Sequence, residues 1–233
     1  MRHLRIAAFA AAVFSLTGPA GAAEPHRVPA GNQPRVVRLV ETGMSTWLSQ
    51  PPNQVAGYFS DASCDSCGGV PAQVLADNFL QRHIFGVFMN QAVIWGGYYP
   101  GNVPTPAPFQ VIFHSDAGGL PGDVICQASV VPSSDVLTGV TVFGVSEHQI
   151  TLDFPDCTLP DAAYFVEIYT DTGLGTDDWF WESGNVDPVN GIVGFAVAFE
   201  APGVAWLASP DFDFAITLNG DLTPVELQSF VVE

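Results

Sequence analysis

The chain of 233 residues contains no lysine, so its six basic side chains are all arginines. Without a lysine amine, Schiff-base chemistry is excluded. Beyond Arg38 the one strongly basic residue is Arg82, whereas Glu24 is the only one of the 24 Asp and Glu residues that precedes Arg38. A formal net charge of −18 repels a phosphate backbone, which excludes nucleic acid as a partner and disfavours anionic membrane surfaces. No stretch after Leu16 approaches the roughly 20 apolar residues that a membrane-spanning helix needs. H-E-x-x-H and G-x-S-x-G are absent; GVSEH (144–148) lacks the second glycine. Amphipathic helices and internal repeats are missing too.

The amino terminus reads MRHLRIAAFAAAVFSLTGPAGAAE. Arg2 and Arg5 lead into an apolar run from Ile6 to Leu16. Gly18-Pro19 and small residues follow, the pattern of a secretory signal peptide cut near Ala22 or Ala23. Residues 1–23 are therefore set apart from the fold, and the mature chain is expected to be secreted or periplasmic. Residues 24–46 carry Arg27, Arg35, Arg38 and several prolines and are read as a linker or arm, with a short strand at Val36–Val40. The β-sandwich domain is expected over 47–220, and residues 221–233 form a carboxy-terminal tail.

From Trp47 onward the hydrophobic period is two. Phe109, Val111 and Phe113 alternate with Gln110 and His114; Phe212, Phe214, Ile216 and Leu218 alternate with Asp213, Ala215 and Thr217. Such alternation makes strands with one face on a core. About ten runs occur, near 55–59, 73–80, 84–96, 109–114, 123–131, 140–154 (two strands), 164–170, 178–183, 193–199 and 212–218. Clusters of Gly, Pro, Asn and Asp separate them. These features predict a single-domain, all-β, jelly-roll-like antiparallel sandwich. In SDAGGLPGD (115–123) the paired glycines accept positive φ and the proline pre-sets a turn, predicting a connection between the strands on either side.

Four cysteines in an exported chain are most simply two disulfides. Three pairings exist; Cys64–Cys67 and Cys126–Cys157 are preferred. Cys64 and Cys67 are close in sequence and flanked by glycines, and Cys126–Cys157 would staple a strand to the loop after 148–154. A zinc site needs about four ligands, and His83, His114 and His148 fall in separate strand-like runs. A redox C-x-x-C belongs at a helix start, whereas this one leads into a strand.

Asp171-Thr172-Gly173 is the triplet of aspartic proteases, which require two such aspartates; no second D-T-G or D-S-G exists. The segment TDTGLGTDD (170–178) is read as a polar hairpin loop. Its Asp171, Asp177 and Asp178 are candidate calcium ligands, because calcium takes six to eight oxygens from such carboxylates and carbonyls. Asp77, in ADNF, is a further candidate cation ligand. Trp179 and Trp181 stand two apart and share a strand face, with Phe180 opposite. Together with Trp95 and Tyr98 they are a candidate carbohydrate platform, since sugars stack on flat aromatic rings.

Several blocks taken together resemble a known group: LADNF (75–79), VIWGGYYPGN (93–102), FQVIFHSDAGGLPGDVI (109–125), WFWESG (179–184) and FAVAFEAPG (195–203). They are similar to the secreted β-sandwich domain of bacterial envelope proteins of the "choice-of-anchor" type, over roughly residues 55–218. The resemblance implies a jelly-roll-like sandwich and no particular chemistry. The tail TPVELQSFVVE resembles the junction that often precedes a sorting signal. The expected function is a non-catalytic structural or adhesive module of the cell envelope or exterior, with a polysaccharide or another envelope protein as partner. A carbohydrate-binding module is the first alternative and an envelope-associated hydrolase the second.

Overall fold

Strand periodicity carries through to fourteen strands, and among the described residues every regular element is a strand. The computed structural model describes residues 44–199, 205–210 and 212–222. The expected signal peptide, nearly all of the arm with its Val36–Val40 strand, and the tail beyond Leu222 lie outside the described residues. In chain order the strands are β1 (Ser45–Gln50), β2 (Pro52–Phe59), β3 (Gln73–Gln81), β4 (Val87–Tyr99), β5 (Phe109–Asp116), β6 (Pro121–Val130), β7 (Ser134–Val142), β8 (Val145–Leu159), β9 (Ala162–Thr170), β10 (Asp178–Gly184), β11 (Gly191–Phe199), β12 (Leu207–Ser209), β13 (Asp213–Phe214) and β14 (Ile216–Leu222).

The strands form two antiparallel sheets, one of eight strands and one of six, packed as a jelly-roll-like sandwich. In the larger sheet β4 is central. Its first part lies between β14 and β8, and its last residues, Gly96–Tyr99, pair with β10. Beyond β10 lies β2, beyond β14 lies β1, and beyond β8 lies β7. The smaller sheet runs β12-β11-β3-β9-β5-β6. The excess over ten expected runs has three sources. The 140–154 run is two strands, as expected; the 212–218 run breaks at Ala215; and the short β1 and β12 carry too little alternation to register. β1 starts two residues before the expected boundary at Trp47.

Inner faces of both sheets supply one core, including Leu48, Phe79, Met89, Ile94, Phe113, Leu152 and Ile168. Two irregularities keep the long strands in phase with it. On β4 the buried set shifts from Val87 and Met89 to Ala92 and Ile94, because a bulge at Asn90 inserts one residue relative to β14. Opposite it, β8 carries Pro155, a residue tolerated in a strand only at bulges or edges. At Gly96 the backbone of β10 passes so close that a Cβ would lie 2.0 Å from the Phe180 carbonyl oxygen. That crossing requires glycine.

Two turns follow the sequence chemistry. β5 and β6 form the expected hairpin around Gly118 (φ 77°) and Gly119 (φ 89°). β7 and β8 are joined by Phe143 and Gly144, both at positive φ, between the paired Val142 and Val145. The 171–177 segment differs from expectation. β9 and β10 belong to different sheets, so the segment is a crossover and not a hairpin loop.

Candidate functional site

The cysteine loop and the crossover loop interlock. Both disulfides are present, Cys64–Cys67 and Cys126–Cys157. Cys157 lies inside β8, which continues through the Pro155 bulge, so the second bond ties β6 of one sheet directly to β8 of the other. Ahead of the Cys64–Cys67 ring, buried Asp61 accepts hydrogen bonds from the backbone N–H groups of Ser63, Thr172 and Trp179 and from the Thr172 hydroxyl at 2.6 Å. Burial is the main influence on its carboxyl and pushes its pKa up, while the Thr172 hydroxyl and the amides pull the other way. In return, the Asp178 carboxylate accepts the amides of Asp65 (3.1 Å) and Ser66 (2.7 Å), and Asp65 accepts the Gly175 amide.

These bonds overturn the expected calcium cluster. Asp178 faces the cysteine loop, Asp177 accepts the Val103 amide at 2.8 Å, and exposed Asp171 accepts the Gly173 amide. The three carboxylates point to three different segments. Among the described residues no group of three or more His, Cys, Asp or Glu is arranged to hold a metal ion.

The expected carbohydrate platform is likewise overturned. Trp179 and Trp181 share a face as expected, but it is the core face, and both are 0% exposed. Trp179 packs edge-on against Tyr98 and Phe109, and Trp181 stacks on Phe214 at 4.7 Å while its indole N–H donates to the Ala215 carbonyl. Tyr98 is buried beside them, and Trp95 is half-buried. Large flat rings fill the wide space between two sheets, which is why they stand at inward positions.

Asp77 lies on β3, in the middle of its sheet and not at an edge. Its carboxyl bridges the two sheets, accepting the Gln50 side-chain amide at 2.7 Å and the Phe214 backbone amide at 3.2 Å. Burial, reinforced by the neighbouring Asp213 charge, pushes its pKa well up. Asp213, which accepts the Gly194 amide, is itself pushed up to about 6 by burial.

Sequence reasoning missed a second acid pair. Glu182 and Glu147 lie on the outer face of the larger sheet, next to a small cluster of Val142, Val145, Phe180 and Phe59. The Gln54 backbone N–H donates to Glu182 at 2.9 Å, and its side-chain amide donates to Glu147 at 3.1 Å. Gln54 adopts φ 56° to do so, a conformation that is strained without glycine. Burial first, and Glu147 second, push the Glu182 carboxyl up to about 8. A carboxyl held protonated near neutrality is the chemistry of a hydrolase general acid. Here both carboxyls are closed off, at 0% and 2% exposure, so no substrate reaches them in this conformation. The readable signal was DWFWESG, where a glutamate follows a strand apolar on both faces.

Two histidines are also paired with acids. His114 Nε2 lies 2.8 Å from Glu167, and His148 Nδ1 lies 2.7 Å from Asp135. Both rings are buried, His148 edge-on to Tyr98 and His114 edge-on to Trp206.

Two features face outward. The first is the flank where β6 and β7 lie, each paired on one side only among the described residues. Eight of the nine residues of β7 are exposed, Leu137 by 59%, and Val131 in the linking loop by 75%. Val124, Ile125, Val136, Val140 and Phe143 add apolar area. Asp123 and Asp135 are the only charges between Pro121 and Phe143.

The second is a cavity of about 180 Å³ at the end of β3. Trp47, Phe79, Leu80 and Met89 form its apolar walls. The Gln81 side chain is fully engaged, bonded to the His83 backbone N–H and carbonyl and to the Leu159 carbonyl. Asn190 donates to the Trp47 carbonyl at 2.6 Å. Against these satisfied groups stand two buried nitrogens with no partner, Trp47 Nε1 and His83 Nδ1. Arg82, exposed, completes the lining.

No family model matches the chain, and neither a curated protein nor a solved structure is significantly similar to it.

Proposed function

We propose that the mature chain is an exported, non-catalytic module of the bacterial envelope or exterior, structural or adhesive in role, that meets a protein partner along the β6–β7 flank. The observation that carries this reading is the flank itself. It carries seven exposed large apolar side chains and two charges over residues 121–143 of a chain of net charge −18, and exposed apolar area of this kind marks interaction surfaces on soluble proteins. The disulfides support export, because they persist in oxidising compartments. The signal-peptide pattern and the resemblance to choice-of-anchor envelope domains point to the same compartment.

Like charge opposes a second copy as the occupant. The flank instead suits a neutral or basic extended segment of another envelope protein, since free strand edges accept such segments by main-chain hydrogen bonding.

A photoreactive residue in place of Leu137, in a bacterium exporting the protein, tests this. The expected product is an adduct mapping to one extended, Lys- or Arg-bearing segment of a second protein. It should be lost on Val136→Asp and absent when the probe replaces Leu174, which is exposed in the crossover loop. Equal adducts from Leu174, or adducts to the chain itself, would refute the reading.

A further inference from the structure

We infer that the cavity at the end of β3 is a binding site for a small organic monoanion: a carboxylate carried on an aromatic or short aliphatic body. Three observations converge on that class. The size fits one ring, since an apolar cavity of roughly 150 Å³ takes up benzene and this one measures about 180 Å³. The walls Phe79, Leu80, Met89 and the Trp47 ring suit an apolar body. The unused polar capacity is donor in character. Trp47 Nε1 can only donate, it is buried, and it has no partner. His83 Nδ1 is buried and unpartnered as well and donates in the matching tautomer.

Charge selects the anion. Arg82 is the one Lys or Arg among the described residues, and no described carboxylate forms an ion pair with it. Among the described residues no Asp or Glu lines the cavity. A guanidinium and an indole N–H at one apolar hollow are the elements that recognise a carboxylate oxygen pair. Both nitrogens are covered in this conformation; a ligand oxygen pairs with them, relieving the cost of an unpaired buried donor, once the Trp47 and His83 rings turn toward the cavity. Asn190 and Gln81 hold the frame, because their amides tie the 81–83 segment to β8 and the Trp47 backbone to the loop before β11. Nothing in this inference depends on the flank or on a protein partner.

Benzoate is the probe, with benzyl alcohol as its uncharged match. The full mature protein, uniformly 15N-labelled, is titrated at constant ionic strength, and the indole N–H resonances are followed. Trp47→Phe identifies the Trp47 signal. The expected result is a saturable shift of that resonance with benzoate. Binding should be about tenfold weaker for Arg82→Gln and for benzyl alcohol, the usual worth of one charge-assisted contact. Arg82 is exposed, so Arg82→Gln folds, as an unchanged amide spectrum would verify. No saturable Trp47 shift up to about 100 mM benzoate, well beyond a millimolar dissociation constant, overturns the site. Equal binding of benzyl alcohol, or no loss with Arg82→Gln, overturns the anion class.

Discussion

Replacing Glu182 by glutamine should make the fold less sensitive to alkali. Glu182 is fully buried, and its carboxyl rises from the ordinary glutamate value of 4.5 to about 8 in the folded protein. The folded state therefore holds a proton that the unfolded state releases. Stability associated with that proton is complete below about pH 4.5, falls through the interval up to about pH 8, and is gone above it. The full interval corresponds to roughly 5 kcal/mol, and to about 3 kcal/mol at pH 7. Water entry and local relaxation reduce such figures, so a measured difference of about 2–4 kcal/mol at pH 8.5 is expected.

Glutamine reproduces the protonated carboxyl. It keeps an oxygen for the Gln54 amide and offers N–H to Glu147, whose charge adds to the effect. Urea denaturation followed by tryptophan fluorescence, in steps from pH 5 to pH 9, is the assay. Glu182→Gln should match the wild type within about 1 kcal/mol at pH 5 and exceed it at pH 8.5. Glu147→Gln should reduce the wild-type slope without abolishing it, because burial, the largest single cause, remains. Parallel pH profiles for wild type and Glu182→Gln would refute the reasoning, since Asp77 and Asp213 titrate in both proteins and cancel in the comparison.

Trp179→Ala and Trp181→Ala should each destabilise by about 3–5 kcal/mol in urea denaturation, as truncation of a buried Trp does; a loss below about 1 kcal/mol would mean the rings are not core. Opening Cys126–Cys157 by a double serine substitution should lower stability by about 4 kcal/mol for a sequence separation of 31, against about 2 kcal/mol for Cys64–Cys67 with a separation of 3; equal losses in denaturant titrations would contradict the loop-closure account. Calcium at about 5 mM should leave the melting temperature within about 1 °C, because a site binding calcium tighter than that would raise it by mass action; a larger rise in calorimetry would restore a calcium site.

Alternation at 109–113 and at 179–181 made strand positions and shared faces legible, because the two-residue period is written into each strand. The direction of each face was not. WFW reads the same whether the tryptophans line a core or a surface, and only the β4–β10 pairing turns them inward. Sheet membership was hidden for a similar reason: a polar loop of Gly, Thr and Asp looks alike in a hairpin and in a crossover, so β9 and β10 were expected to pair. The aspartates of that loop show why acid clusters mislead. Asp171, Asp177 and Asp178 are near one another in sequence, yet their acceptors face Gly173, Val103 and the 65–66 amides. The cavity needed long-range contacts altogether, since Trp47, the 79–83 segment, Met89 and Asn190 meet only in three dimensions.

The missing lysines explain how the buried acids are held. Arg82 is the single Lys or Arg among the described residues, and no described cation forms an ion pair with Asp61, Asp77, Glu182 or Asp213. An isolated buried carboxylate is strongly unfavourable, so each must accept N–H or O–H donors, keep a proton, or do both. Asp61 takes the first route with four donors, and Glu182 takes the second. Neither route depends on ion pairs, so screening by salt should weaken this fold little. The proton route sets its pH window: Asp77, Glu182 and Asp213 all shift upward, and each favours the folded state in mild acid and opposes it as the pH rises. A fold of this kind is strongest on the acidic side of neutrality, where a cation-poor exterior is also least charged.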